Sequence, residues 1–291
     1  MKGLIIVNQN HEHTVNKVNR LLKEAKKLNI GLDTCVNDGT LAHLDKRGNI
    51  VTSINADFVI YLDKDIYLLK MLEEAGIKVF HDSYFLKLCD DKTLTYLSLV
   101  GEDIRIPLTY SAPLIFADEL KEDNLLFIDK VIKDLGLPLI GKKVYGSLGE
   151  GVYLLKNKEE VISFYKKHFK EPLQFQEYIK SSKGRSIRVL VIDHKIFGAF
   201  ERFNKDDFRS NFSDTASGEE FSLPKEYEEV INKLIKKLDI KYAGIDLLFG
   251  EDGPVLCEIN SNAFFDVFER ITKKNAAKEY LLMILKELKH E

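Results

Sequence analysis

The chain opens with short apolar runs set between longer amphipathic stretches. Leu4-Ile5-Ile6-Val7 reads as a buried strand, and Val15, Val18, Leu21, Leu22, Ala25 and Leu28 recur at helical spacing up to Gly31. Phe58-Val59-Ile60-Tyr61-Leu62 is a second strand, Tyr67 to Glu74 a short helix stopped by Gly76, and Ile77-Lys78-Val79-Phe80 a third strand. Strands alternating with helices predict a parallel sheet, which places a first α/β domain at residues 1–90.

Further on, Asp91 to Val100 and Phe127 to Leu135 carry helical periodicity, with Pro107 marking an extended stretch between them and Gly136 closing the second. Leu139 to Val144 is a strand, Tyr145 to Gly151 a glycine-rich loop, and Val152 to Leu155 the strand leaving it. From Leu173 the pattern turns β-rich and antiparallel. Strands are expected at 174–179, 187–192 and 196–202, a helix from Tyr227 to Leu238, a hairpin from 244–249 and 255–260, and a last amphipathic helix from Ala276 to Leu288. The expected domains are thus 1–90, 91–173 with the glycine loop, and 174–291 with the hairpin. The class is α/β, with α+β character in the later part.

The glycine loop joins strand to strand. A dinucleotide fingerprint or a P-loop needs a helix after its glycines, so neither fits. Gly146, Gly149 and Gly151 let the backbone approach a ligand closely, and successive N–H groups in such a turn form a nest for anions. Lys142, at the end of the preceding strand, can bring its ammonium to the same phosphates. A long hairpin loop with no ligand reads the same glycines equally well.

The final hairpin carries the sharpest chemistry. A turn centred on Asp252 sets Asp246 opposite Glu258, with Asn260 on the same face and Ile245, Leu247, Phe249, Val255, Cys257 and Ile259 on the other. Directly opposed carboxylates have Cβ atoms roughly 4.5–5.5 Å apart and repel each other. A cation removes that repulsion, and two carboxylates with an amide oxygen are hard ligands suited to Mg²⁺, which completes its shell with water and phosphate oxygens. The competing reading is a solvated sheet face on which both acids pair with Lys or Arg. Arg188, Arg202 and Arg209 lie in or just after the β-rich strands and offer planar forks to phosphate oxygens. Arg185 and Arg188 also read as charges on an exposed strand face.

Composition narrows the classes. Of 291 residues 45% are hydrophobic and 31% charged, as in globular proteins, and the formal charge of −3 leaves no footprint for nucleic acid or an anionic membrane. No apolar run is long enough to span a bilayer, and Asn8 interrupts the first one too early for a secretory signal. The three cysteines, Cys35, Cys89 and Cys257, make neither a disulfide framework nor a zinc pattern, which points to a reducing cytoplasm. Cys89 and Cys257 read as core thiols, His11 and His13 as a polar loop, and His194 as a hairpin turn. Neither a Ser/His/Asp nor a Cys/His nucleophile arrangement stands out.

Taken in order, these motifs resemble the RimK-like ATP-grasp ligases of the carboxylate–amine ligase superfamily, and the resemblance covers most of the chain. It rests on Asp91-Lys92, on Pro138-Leu139-Ile140-Gly141-Lys142 with Gly146-Ser147-Leu148-Gly149-Glu150-Gly151-Val152, and on Gln176-Glu177-Tyr178-Ile179. Ile187-Arg188, Glu201-Arg202, Asp207-Phe208-Arg209-Ser210-Asn211, Gly244-Ile245-Asp246 and Glu258-Ile259-Asn260 complete it. The resemblance implies an ATP-grasp fold preceded by a Rossmann-like pre-ATP-grasp domain, with ATP and Mg²⁺ or Mn²⁺ as cofactors. Lys92 and Lys142 would neutralise the α- and β-phosphates, and Gly146, Ser147, Gly149 and Gly151 would belong to a phosphate lid. Gln176, Glu177, Tyr178 and Ile179 would hold adenine, Glu177 accepting from its amino group. Ser186, Arg202, Ser210 and Asn211 would lie along the nucleotide. Arg188 and Arg209 would be catalytic, stabilising charge on the transferring phosphoryl group, and Asp246, Glu258 and Asn260 would hold the metal.

The chain also departs from the family. Ser186 stands where relatives carry Asp, Phe212-Ser213-Asp214-Thr215 where they carry a basic glycine-rich run, and Ser261-Asn262-Ala263-Phe264-Phe265 where they carry Ser-Pro-Gly. The last two fall where substrate is expected. The implied activity is an ADP-forming acid–amino-acid ligation through an acyl phosphate, adding a glutamate-like amino acid to a peptide, a protein or a small metabolite. The alternative is a non-catalytic, regulatory nucleotide-binding module. The expected partners are carboxylate and amine substrates, with neither nucleic acid nor membrane. Apolar positions on the first domain and last helix suit either core packing or a homo-oligomer contact.

Overall fold

The computed structural model describes residues 1–146, 149–210 and 217–289. Its first segment runs β1 (Lys2–Val7), α1 (Glu12–Lys27), β2 (Gly31–Val36), a hairpin of β3 (Ala42–Leu44) and β4 (Ile50–Thr52), β5 (Phe58–Tyr61), α2 (Ile66–Glu74), β6 (Lys78–Phe80) and α3 (Ser83–Asp90). The parallel sheet has the order β2-β1-β5-β6. β1 and β5 are buried apolar runs, as strands covered on both faces must be. β2 edges the sheet with largely exposed side chains, so Gly31-Leu32-Asp33-Thr34-Cys35-Val36 has no apolar run to betray it.

The helix expected from Asp91 to Val100 is the second of a pair. Asp82 caps α3 by accepting from the Phe85 N–H at 2.7 Å, and Asp91 caps α4 (Lys92–Leu97) by accepting from the Leu94 N–H at 2.9 Å. The middle sheet follows, built from β7 (Thr109–Ser111), β8 (Leu139–Lys143), β9 (Val152–Leu155) and β10 (Leu173–Glu177), with α5 (Phe127–Leu135) and α6 (Lys158–His168) on its outer side. Its order is β7-β10-β8-β9, all antiparallel. β10 pairs with β7 and β8, so the strand expected to open the last domain belongs to the middle one. We place that boundary after Glu177 rather than at 173.

The last sheet has the order β13-β12-β11-β14-β15. Its elements are β11 (Arg185–Ile192), β12 (Lys195–Phe203), β13 (Ser217–Glu220), α7 (Lys225–Leu238), β14 (Tyr242–Gly250), β15 (Gly253–Asn260), α8 (Asp266–Thr272) and α9 (Ala276–Glu287). The turn between β11 and β12 is Asp193-His194, both at positive φ, as a tight hairpin requires. On one face Ile187, Val189, Val191, Ile245 and Leu247 pack on α7. The other face changes character along each strand. Leu190, Ile192, Phe200 and Tyr242 join the core of the first segment, whereas Ser186, Arg188, Arg202 and Asp246 stay polar. The first segment and the last sheet therefore share one hydrophobic core. The middle sheet has its own, formed by Ile128, Val131, Leu139, Phe164, Tyr165 and Phe175.

Candidate active site

Between the middle and last sheets lies a solvent-open cleft with about 880 Å³ of empty space, a size suited to a small-molecule ligand. At one end are Gln176, Glu177, Tyr178 and Ile179, where β10 leaves the middle sheet. The Gln176 amide nitrogen donates to Thr109 Oγ1 at 2.9 Å. Glu177 does not present both carboxylate oxygens to the cleft, because Oε1 accepts from the Leu108 N–H at 2.9 Å and ties the strand to the segment before β7. Ile140, Val152 and Leu248 give the cleft apolar walls, and Phe208 meets Tyr178 edge to face at 6.4 Å. Sequence reading missed these walls, since single apolar residues in strands look like core.

Two ammonium groups lie deeper. Lys92 is 7% exposed and donates to the carbonyls of Val144 and Gly146 at 3.1 and 3.0 Å, which fixes the entry to the glycine loop. Burial lowers its pKa, partly offset by Glu258. Lys142 Nζ stands 3.9 Å from Cys257 Sγ. Cys257 is thus a cleft residue and not the core thiol expected from its position. Gly146 and Gly149 line the cleft, whereas Gly151, at φ +75°, packs on the stem of Lys143. Ser147 and Asn211 lie outside the described residues.

Arg209 reaches across the cleft. Its Nε and Nη2 each donate to an Asp207 carboxylate oxygen at 2.9 Å, and its Nη1 donates to the Gly149 and Val152 carbonyls at 3.0 and 3.3 Å. The group expected to act on phosphate here clasps the loop that would cover it. Ser186, in place of the family's Asp, accepts from Arg202 Nη2 at 2.8 Å and shares a 2.6 Å hydrogen bond with Ser210. Arg185 is not merely solvated: it donates to Glu201 Oε1 at 2.5 Å and stacks over Phe249.

At the other end the hairpin sets Asp246 opposite Glu258 and Gly244 opposite Asn260. Asp246 is 4% exposed. Arg188 donates to it with Nε and with Nη2, the latter at 2.8 Å, and Arg202 Nη2 lies 2.9 Å from Asp246 Oδ2. Burial alone would raise the Asp246 carboxyl, but the two guanidinium groups outweigh it and hold its pKa below the usual range. Asn260 joins the group when its Nδ2 donates to Glu258 Oε1 at 2.9 Å and its Oδ1 accepts from Arg188 Nη2 at 3.3 Å. Glu258, Asp246 and Arg202 line the cleft, and Arg188 and Asn260 are bonded to these acids. Like-charge repulsion between the acids, read from sequence as a demand for a cation, is already relieved by arginine.

In kind the side chains still suit a hard divalent ion, with two carboxylates and, once the Asn260 amide turns so that Oδ1 rather than Nδ2 faces Glu258, an amide oxygen. Among the described residues no group of three or more His, Cys, Asp or Glu side chains is arranged for a metal, so magnesium here would lean on Asp246, Glu258 and Asn260 and on oxygens brought by the ligand. Also among the described residues, no helix is long and apolar enough to cross a membrane.

Two antiparallel sheets closing on a cleft, with lysines under a glycine loop and acids at the far end, define the class of ATP-grasp ligases. Residues 89–284 match the model of the RimK-like ATP-grasp domain, and the chain belongs to that family. It is 30% identical to the uncharacterized protein MG012 homolog of Mycoplasma pneumoniae over 276 residues, covering 93% of each chain. It is also 30% identical to N-acetylaspartylglutamate synthase A of Homo sapiens, covering 72% of this chain and about half (52%) of that one. In fold it is similar to D-alanine–D-alanine ligase from Bacillus anthracis, with a TM-score of 0.76 at 19% identity over 100% of this chain and 98% of that one. The protein is thus an enzyme of the ATP-grasp ligase family.

Proposed function

We propose that this ligase binds Mg²⁺·ATP in the cleft and phosphorylates a substrate carboxylate, and that an amine then attacks the acyl phosphate to form an amide and release phosphate. The observation that carries this reading is the meeting of Asp246, Glu258, Asn260, Arg188 and Arg202 at the end of the cleft opposite Gln176–Ile179, with Lys92 and Lys142 between. Adenine would lie between Ile140 and Leu248, against the backbone of Tyr178 and Ile179. Lys92 and Lys142 would face the α- and β-phosphates. Magnesium, held by Asp246, Glu258 and Asn260, would neutralise charge on the phosphate oxygens. Arg202 and Arg188 keep Asp246 ionised and aimed. Arg209, clasping Gly149 and Val152, keeps the loop over the reacting groups and excludes water.

The named synthase among the relatives makes a glutamate amide, so glutamate is the amine to test first. ADP release is measured with ATP, Mg²⁺ and glutamate against N-acetylaspartate, citrate and short peptides as acids, then with hydroxylamine in place of glutamate. An acid that drives ADP release should yield its hydroxamate. Acid-dependent ADP release with no trapped hydroxamate would exclude the acyl phosphate, and ATP turnover indifferent to every acid would exclude ligation of this kind.

A further inference from the structure

Lys17, on α1, is 2% exposed, and its ammonium lies over the rings of Tyr242 at 4.9 Å and Phe265 at 4.8 Å. It donates to the Ala263 carbonyl at 2.8 Å, and the Tyr242 hydroxyl donates to the same oxygen. A carbonyl that accepts twice, once from a cation, is held firmly. Burying an ammonium against a carbonyl rather than a carboxylate is costly, and a methionine would fill the same aromatic cage without that cost. Packing alone does not account for a lysine at this position.

Ala263 is what the lysine holds. A Cβ built on Gly244 would stand 2.8 Å from Ala263 Cβ and 2.9 Å from Arg188 Nη1, so Ala263 and the Arg188 guanidinium share the space above that glycine. Gly244 is the cross-strand partner of Asn260, and Arg188 grips both Asp246 and Asn260. Lys17 thus bonds the residue that borders, with the Arg188 guanidinium, the space above Gly244, and Arg188 in turn bonds Asp246. We infer that Lys17 is a positioning residue: through Ala263 it sets where the Arg188 fork sits, and thereby the arrangement of Asp246 and Asn260 for magnesium. This rests on the metal reading above. It gives the first segment a part in a cleft whose lining residues begin at Lys92.

The test measures binding of the non-hydrolysable analogue AMPPNP to the full chain by calorimetry, with and without Mg²⁺, for wild type, Lys17→Met and Tyr242→Phe. Lys17→Met is expected to cut the magnesium-dependent gain in affinity about tenfold, the usual effect of losing a residue that orients metal ligands. Metal-free binding should change less than about twofold, with the melting temperature at pH 7 equal or higher. Tyr242→Phe, which removes the other donor to Ala263, should reduce the gain in the same direction and answers the question should Lys17→Met not fold. A gain present in wild type and kept in the folded variants overturns the inference alone. A parallel fall in metal-free binding overturns it too, by showing a general loss of structure. A wild-type protein with no magnesium-dependent gain overturns the metal reading and the inference with it.

Discussion

At the scale of single residues, Asp246 and Glu258 face each other but do different work. Asp246 is buried between two guanidinium groups, and removing its charge leaves both without a carboxylate, with only the neutral acceptors Ser186 and Asn260 remaining. Asp246→Asn is expected to cost about 3–5 kcal/mol in a urea melt, the usual penalty for breaking a buried pair. Glu258 touches Asn260 and the cleft, so Glu258→Gln should leave stability within about 1 kcal/mol while abolishing ligation. Equal effects of the two substitutions on stability would contradict this division. Lys17 adds a pH signature. Burial pushes its pKa from 10.5 down to about 7, against the pull of Asp266 on α8, beside a neutral His81 that burial holds near 3. The folded value lies below the unfolded one, so the unfolded chain binds more protons between them and the group's penalty fades as pH rises. Wild-type stability relative to Lys17→Met should therefore climb between about pH 7 and 10.5, by an amount on the order of a few kcal/mol. A difference flat over that window would contradict a buried, neutralising lysine.

At the scale of elements, the final hairpin shows how far sequence reached. Asp246 does face Glu258, but a turn centred on Asp252 is not the reason. Gly250 pairs with Gly253 around a two-residue turn, and the register then shifts beyond Leu247–Leu256. Cys257 is the extra residue of a β-bulge, which turns two successive side chains, Cys257 and Glu258, toward the cleft. The assumed turn was one residue too long and the bulge was missed, and the two errors cancel at Asp246. Deleting Cys257 would leave a regular ladder with Asp246 still opposite Glu258, so that variant is expected to fold and bind nucleotide. Deleting Leu256 instead gives the same ladder with the Cys257 thiol in the core position of Leu256, a large-to-small change expected to cost about 2–4 kcal/mol. A thermal melt distinguishes the two. The arginines were legible as residue types but not as partners, because their contacts span the fold: Arg188 meets Asp246 and Arg209 meets the glycine loop. Losing the Asp207 brace should free that loop. Asp207→Asn is expected to speed amide exchange at 149–152 and leave β14 and β15 unchanged.

At the scale of the whole molecule, apolar periodicity gave the parallel sheet, the glycine strand–loop–strand and the last hairpin, and a family resemblance supplied their common purpose. It could not show that the first segment and the last sheet share a core while the middle sheet keeps its own. That division sets the mechanics: Asp246, Glu258, Arg188 and Arg202 sit on the larger body, whereas Gln176, Glu177 and the stem strands of the glycine loop sit on the smaller. The middle sheet should open at lower free energy in native-state hydrogen exchange than the other two, and bound nucleotide should bring it level. The most direct measurement is the affinity for ATP with and without Mg²⁺, in wild type and in Glu258→Gln. Magnesium is expected to strengthen wild-type binding at least about tenfold, some 1.4 kcal/mol, and the variant's by less than about twofold. An equal gain in both proteins would contradict the assignment of Glu258 and its neighbours to the metal end of the cleft.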